Sequence, residues 1–143
     1  MASPQLILVR HAHAEWPNYS GRDFDRPLTP QGEEGARATG RAIREAGLRP
    51  ALLLASAALR TRQTAEIIAA ELALPASALR FSENLYNAPD ATIQVEAQAA
   101  APAHGLLMVV AHNPGVSELA RVLAEDSRAP GYRPGDWRLL PLV

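Results

Sequence analysis

The chain has 143 residues, with 14 Lys plus Arg against 15 Asp plus Glu and a formal net charge of −1 at pH 7. This length suits a single domain, residues 1–143, that buries about two thirds of the surface exposed by its unfolded chain. The near balance of charge argues against a general nucleic-acid binder. All 14 basic side chains are arginines and cysteine is absent, which excludes disulfides and thiolate metal sites.

Hydropathy gives no sign of a membrane segment. No apolar run approaches the roughly twenty residues that span a bilayer. The first apolar run, Leu6 to Val9, is too short for the core of a signal peptide. We therefore expect a cytoplasmic protein without membrane or nucleic-acid partners, present as a monomer or a small homo-oligomer.

Short apolar runs alternate with longer helical patterns along the chain, which is typical of an α/β layered domain with a largely parallel sheet. Buried strands are predicted where the runs are continuous rather than alternating in polarity; they are Leu6–Val9, Ala51–Ala55 and Leu106–Ala111. The helical patterns are Pro30–Ala46, Leu59–Leu72, Asp90–Ala100 and Val116–Glu125. Two weaker strands, Leu79–Ser82 and Trp137–Leu142, complete the sheet.

Several element ends carry local signals. Thr29 followed by Pro30 is typical of a helix N-terminus, and Ser56 stands where an N-cap would precede the second helix. Pro141 removes a backbone donor, which favours an edge position for the last strand. The segment Asp126–Asp136 contains two Pro and two Gly and is predicted to be a loop.

Polar side chains follow three of the predicted strands. Arg10 and His11 end the first, Arg60 lies just after the second, and His112 follows Leu106–Ala111. Ligands of open α/β sheets bind outside the carboxyl ends of the strands, so we expect these four side chains to converge. A pocket so rich in positive charge and donors favours a phosphoryl group, held by planar Arg forks and helix N-termini.

Other histidines and acids are less clear. His13 either lines the mouth of the pocket or faces water, and His104, in a turn, is expected to be structural. Glu83 follows the Leu79–Ser82 strand and is the best candidate for a general acid. A solvated loop carboxylate or a partner of an arginine is an equally good interpretation of Glu83.

The same residues lie in motifs that resemble the histidine phosphatase superfamily, specifically its small SixA-type phosphohistidine phosphatase branch. The matching stretches are "LVRHAHAEW", "DRPLTPQGEEGA", "SAALRTRQTAE", "ENLYNA" and "VVAHNPGVSELA". They occur in register over nearly the whole chain up to about Ala124. The resemblance implies a phosphoglycerate mutase-like fold, a three-layer α/β/α arrangement around a mostly parallel central sheet.

The resemblance also implies a covalent mechanism without a metal or other cofactor. His11 would take the phosphoryl group and water would then remove it, with Arg10, Arg60 and His112 holding the oxygens. His13 and Asn113 would add substrate contacts, and Glu83 would be the acid. The imidazole must be neutral to attack, and the flanking arginines favour that form by like-charge repulsion.

Three functions remain open from the sequence. The leading hypothesis is removal of phosphate from phosphohistidine on a phosphotransfer protein, since the short chain leaves little to build a lid over the pocket. The alternative is a small-molecule phosphomonoesterase or mutase of the phosphoglycerate mutase-like branch. A non-catalytic phosphate-binding module ranks last, because it would predict loss of His11 or of an arginine.

Overall fold

The computed structural model describes residues 4–15, 20–103 and 105–142; Trp16 and His104 lie outside this part of the chain. The strands are β1 (Gln5–Arg10), β2 (Leu52–Ser56), β3 (Leu79–Ser82), β4 (Leu107–Ala111) and β5 (Trp137–Pro141). The α-helices are α1 (Pro30–Glu45), α2 (Leu59–Glu71), α3 (Asp90–Ala100) and α4 (Gly115–Leu123). Short 3₁₀ turns occur at Asp23–Asp25, Ala76–Ala78 and Glu83–Leu85.

The strands form one sheet in the order β3-β2-β4-β1-β5. β1, β2, β3 and β4 are parallel, whereas β5 runs antiparallel to β1 at the edge of the sheet. The predicted mostly parallel sheet and the edge position of the last strand are confirmed. Leu8 pairs with Val109 at the centre, and β2 and β4 are buried along their whole length, as continuous apolar runs require.

Helices cover both faces of the sheet, which gives the predicted three layers. Ile7 and Val9 point to the face that α1 and α2 cover, where Ile43 and Ile68 are fully buried. Leu6 and Leu8 point to the opposite face and pack in a cluster with residues of α3 and α4. This alternation follows from the two-residue period of a strand.

The start of α1 is fixed tightly against the segment after β1. Thr29 caps the helix, since its Oγ1 accepts from the Gly32 N–H at 2.9 Å. A Cβ on Gly32 would lie 1.9 Å from the carbonyl oxygen of His13, so only glycine allows this approach. The helix N-terminus and the segment that carries His11 and His13 are thereby held together.

Two local predictions are corrected. Ser56 was expected to cap α2, but it is the last residue of β2, and Ala58 is the N-cap residue, with no side-chain cap. The fourth helix ends at Leu123 rather than Glu125, because Glu125 adopts a positive φ of 53° and turns the chain away. Among the described residues, no helix is long and apolar enough to cross a bilayer.

Candidate active site

The carboxyl ends of three neighbouring parallel strands bring the predicted polar residues together. β1 ends at Arg10, and the His11 N–H donates to the Ala111 carbonyl at the end of β4 at 3.1 Å. His112 follows directly, and its ring centroid lies 5.3 Å from that of His11. Arg60, in the first turn of α2, lines the same cavity of about 350 Å³. The residues that line this cavity are Arg10, His11, His13, Ala14, Asp23, Arg26, Arg60, His112, Asn113 and Pro134.

His11 is buried and held in one tautomer. Its Nδ1 lies 2.7 Å from the carbonyl oxygen of Ala12, and a carbonyl can only accept, so Nδ1 carries the proton. Nε2 therefore has a free lone pair. Burial first, with the charges of Arg60 and Arg10 added and the hydrogen bond to Ala12 opposing, lowers the pKa of His11 to about 4. The imidazole is neutral near pH 7.

His112 is oriented by the serine at the end of β2. Its Nε2 lies 2.8 Å from Ser56 Oγ, and that oxygen also accepts from the Ala58 N–H at 3.3 Å. A hydroxyl oxygen has two lone pairs and one proton, so Ser56 can pair with Nε2 as donor or as acceptor. In the tautomer in which Ser56 donates, Nδ1 of His112 carries the N–H. Burial, followed by the charge of Arg60, lowers the pKa of His112 well below its usual range, so this ring too is neutral.

Both predicted arginines are anchored through Nη atoms, while Nε makes no hydrogen bond within the described residues. Arg10 donates from Nη1 to the Tyr132 carbonyl at 2.9 Å, and Arg60 donates from Nη1 to the Asp23 carbonyl at 2.8 Å. The buried Nε of Arg10, Nε of Arg60 and Nδ1 of His112 have no hydrogen-bond partner among the described residues. Buried donors normally have one. The described part of the cavity therefore has hydrogen-bonding groups left over that a bound ligand could use.

A second wall of the cavity comes from the 3₁₀ turn Asp23–Asp25 and its neighbours. The Asp23 carboxylate accepts from Arg60 Nη2 at 3.2 Å, from Arg26 Nε at 2.8 Å and from the hydroxyl of Tyr86. Burial alone would raise the pKa of Asp23, but the hydrogen bonds from Tyr86 and Arg26 and the charge of Arg60 bring it well below its usual range. Asp23 is thus a fixed carboxylate that orients Arg60, which also contacts Asn87 Oδ1 at 3.3 Å.

The predicted loop after α4 folds back onto the end of β1. Besides Arg10, the Tyr132 carbonyl accepts from Asn113 Nδ2 at 3.1 Å. Asn113 Oδ1 accepts from the Ser117 hydroxyl at 2.7 Å. Both ends of the Asn113 amide are thus bonded, and together they connect the loop to the first turn of α4. Pro134 of the same loop lines the cavity.

Of the two remaining predicted residues, His13 lines the cavity and Glu83 does not. His13 is exposed, lines the cavity, and has Nδ1 within 2.8 Å of Thr29 Oγ1, so the cap of α1 also positions this ring. Glu83 is exposed in the turn after β3 and is not among the cavity-lining residues. The carboxylate that does line the cavity is Asp23.

Sequence reasoning missed several residues of this site. Asp23, Tyr86 and Pro134 were not singled out, and Arg26 was quoted within a motif without a role. Ser56 was given a capping role instead of its contact with His112. The available signal was weak: Arg26 and Tyr86 lie inside the quoted motifs, but only tertiary contacts bring them to Asp23.

The arrangement can bind and transfer a small anion. The described lining contains three arginines and one carboxylate, so its charge suits an oxyanion, and the neutral imidazole of His11 lies among them with an unprotonated Nε2. No three His, Asp or Glu side chains of the described ranges form a group that could hold a metal ion.

Comparisons with known proteins agree with this description. The family model of the histidine phosphatase superfamily (branch 1) matches residues 6–86. An uncharacterised chloroplastic protein of Arabidopsis thaliana is 32% identical in an alignment of 133 residues that covers 87% of this chain and 61% of that protein. This chain therefore spans less than two thirds of the length of that relative.

Solved structures share the whole fold. A candidate phosphohistidine phosphatase, SixA, from Agrobacterium tumefaciens superposes with a TM-score of 0.85 at 25% identity, over 99% of this chain and 93% of that one. A mycobacterial glucosyl-3-phosphoglycerate phosphatase superposes with a TM-score of 0.64 at 16% identity, over 96% of this chain and 90% of that one. The second likeness shows the fold alone, and phosphatases named for different substrates share it.

Proposed function

Because this chain belongs to the histidine phosphatase superfamily, we propose that it is a phosphatase that forms a phosphohistidine intermediate on His11 and acts on phosphohistidine of a protein. The observation that carries this proposal is the state of His11. Its Nδ1–H is fixed by the Ala12 carbonyl, and its neutral Nε2 is free beside Arg10, Arg60 and His112.

In the first step, Nε2 of His11 attacks phosphorus, and the bond to the leaving group breaks with its electron pair. Arg10 and Arg60 face the negative charge on the transferring oxygens, and the Nδ1–H of His112 donates to one of them. In the second step, water attacks phosphorus, the P–N bond breaks, and the electron pair returns to Nε2. The arginines supply the charge that a metal would otherwise supply, so we propose a metal-independent reaction.

The substrate assignment rests on the leaving group. An ester expels an alkoxide and needs a well-placed acid, whereas phosphohistidine expels a neutral imidazole once its other ring nitrogen is protonated. That proton comes with the substrate. Asp23, the one carboxylate in the described lining of the cavity, is ionised and bonded to Arg60, Arg26 and Tyr86, and Glu83 is not part of that lining. The candidate phosphohistidine phosphatase of similar fold supports the same assignment.

The test compares substrates side by side. The purified protein is incubated with a phosphorylated histidine-containing phosphotransfer protein and with common sugar phosphates, and phosphate release is followed. We expect a higher kcat/KM for the phosphoprotein by about a hundredfold, the range that general acid catalysis would otherwise supply to an ester. A sugar phosphate with the higher kcat/KM would instead favour the metabolite phosphatase. Binding of phosphate without turnover of any substrate would favour the non-catalytic module.

A further inference from the structure

Among the described residues, the cavity combines a set of groups suited to holding a phosphoryl group with no carboxylic acid free to protonate what leaves. Arg10, Arg26 and Arg60 and the buried histidines His11 and His112 are among its described lining residues. Among the described residues that line the cavity, the only carboxyl group is that of Asp23. The exposed His13 at the mouth of the cavity is held through Nδ1 by Thr29 Oγ1. The described part of the cavity therefore suits leaving groups that need no carboxylic acid.

Asp23 is unable to take the role of the missing acid because of its contacts. Its carboxylate accepts from Arg60, from Arg26 at 2.8 Å and from the hydroxyl of Tyr86. A protonated Asp23 would lose the charge that holds both guanidinium groups. The contacts thus select the ionised form, which accepts hydrogen bonds and donates none.

The chemistry of the leaving group then ranks the possible substrates. A carboxylate is the conjugate base of an acid with a pKa of about 4, and a phenolate of one with a pKa of about 10. An alkoxide is more basic still. In a site without an acid, the phosphoryl group is transferred most readily from the least basic of these groups.

Resting on the proposed phosphohistidine mechanism, we infer that the same site hydrolyses acyl phosphates, the class to which a phosphorylated aspartate belongs. Nε2 of His11 forms a bond to phosphorus while the P–O bond to the acyl group breaks, and its electron pair leaves as a carboxylate. Water then attacks phosphorus and the P–N pair returns to Nε2. One water proton stays on the released phosphate and the other passes to solvent, so no acid on the protein is used.

The experiment measures kcat/KM for acetyl phosphate, p-nitrophenyl phosphate and phenyl phosphate in one buffer at pH 7, with the His11→Ala variant as the blank for spontaneous hydrolysis. We expect kcat/KM to fall in that order, and the value for acetyl phosphate to exceed that for phenyl phosphate by about a hundredfold or more. A general acid would remove a difference of this size by protonating the phenolate as it leaves. Rates for acetyl and phenyl phosphate within about tenfold of each other would overturn the inference, because they would reveal an acid at the site.

The Asp23→Asn variant separates the inference from a hidden role of this carboxyl group. We expect Asp23→Asn to lower all three rates together and to keep the ratio of acetyl to phenyl phosphate. A selective loss of phenyl phosphate hydrolysis would identify Asp23 as the acid and overturn the inference.

The inference and the proposed function fail in different ways. Turnover of a phosphohistidine protein without turnover of acetyl phosphate would overturn the acyl phosphate activity and leave the proposed function intact. Absence of turnover with both, combined with activity on a sugar phosphate, would overturn the proposed function itself.

Discussion

The two walls of the cavity differ in how the chain builds them. The strand-end wall consists of Arg10, His11, Arg60 and His112, which follow parallel strands or begin the next helix. The loop wall consists of Asp23, Arg26, Tyr86 and the Tyr132–Pro134 loop, which lie in irregular segments. We propose that the residues of the first wall carry out the reaction and that those of the second wall orient them. Asp23 accepts a hydrogen bond from Arg60, and the Tyr132 carbonyl accepts one from Arg10.

The largest expected effect is at the strand-end wall. His11→Ala should abolish turnover and leave the fold intact, because the imidazole is the nucleophile and its main hydrogen bond, to Ala12, is local. Rapid quench with a ³²P-labelled substrate should trap an acid-labile, alkali-stable phosphoenzyme in the wild type and none in the variant.

The exposed neighbour His13 is the matched control for this substitution. His13→Ala should still trap the labelled phosphoenzyme. If His11→Ala kept wild-type rates, or if the label were lost only in His13→Ala, the covalent step would have to be assigned to another residue.

A second strong effect is expected at Arg60. Arg60→Lys should lower kcat/KM on the order of a hundredfold, the usual cost of one lost oxyanion donor. The ammonium group of lysine lacks the planar set of N–H donors with which Arg60 binds Asp23 and, in our proposal, also the substrate oxygens. Steady-state kinetics on the phosphoprotein would measure the loss, and full activity of Arg60→Lys would mean that charge alone suffices at this position.

The loop wall should respond more weakly. Asp23→Asn should lower kcat/KM by about tenfold, since it weakens one charged hydrogen bond to Arg60 while the backbone contact from the Asp23 carbonyl stays. Asp25→Asn removes the same charge two residues away, where the carboxylate lies 3.7 Å from the exposed Arg22, outside the cavity lining. We expect Asp25→Asn to change kcat/KM less than twofold, an exposed pair being worth little. Equal losses in both variants would assign the effect to the overall charge of the segment.

The sequence predicted the two walls to different extents. Arg10, His11, Arg60 and His112 could be placed because parallel strands bring their carboxyl ends to one edge, a rule that needs only the element order. The loop wall depends on contacts between distant segments, such as the bond from Arg10 to Tyr132 across 122 residues and those from Arg60 to Asp23 across 37 residues. No local pattern marks such pairs, which is why Asp23 was not singled out from the sequence.

A pH effect on stability should report the surroundings of His11. Burial and the charges of Arg60 and Arg10 lower its pKa to about 4, so between about pH 6.5 and 4 the unfolded chain binds the proton and the folded chain does not. The free energy of unfolding should therefore fall as the pH falls through this window. From pH 7 to pH 5, the wild type should lose about 2 kcal/mol more than His11→Ala. Urea denaturation at both pH values measures the difference, and equal losses would mean that His11 titrates normally.

The smallest expected effect lies outside both walls, at Glu83. If Glu83 were the general acid, Glu83→Gln would leave phosphohistidine hydrolysis within roughly tenfold of wild type and depress ester hydrolysis by about a hundredfold or more. The structure places this side chain exposed in the turn after β3, away from the cavity lining. We therefore expect kcat/KM of Glu83→Gln to stay within about twofold of wild type for the phosphoprotein, acetyl phosphate and phenyl phosphate alike. Surface substitutions of this kind usually have small effects. A loss confined to phenyl phosphate would mean that Glu83 reaches the leaving group during turnover. The general acid would then lie outside both walls of the cavity, and the description of the site by two walls would be incomplete.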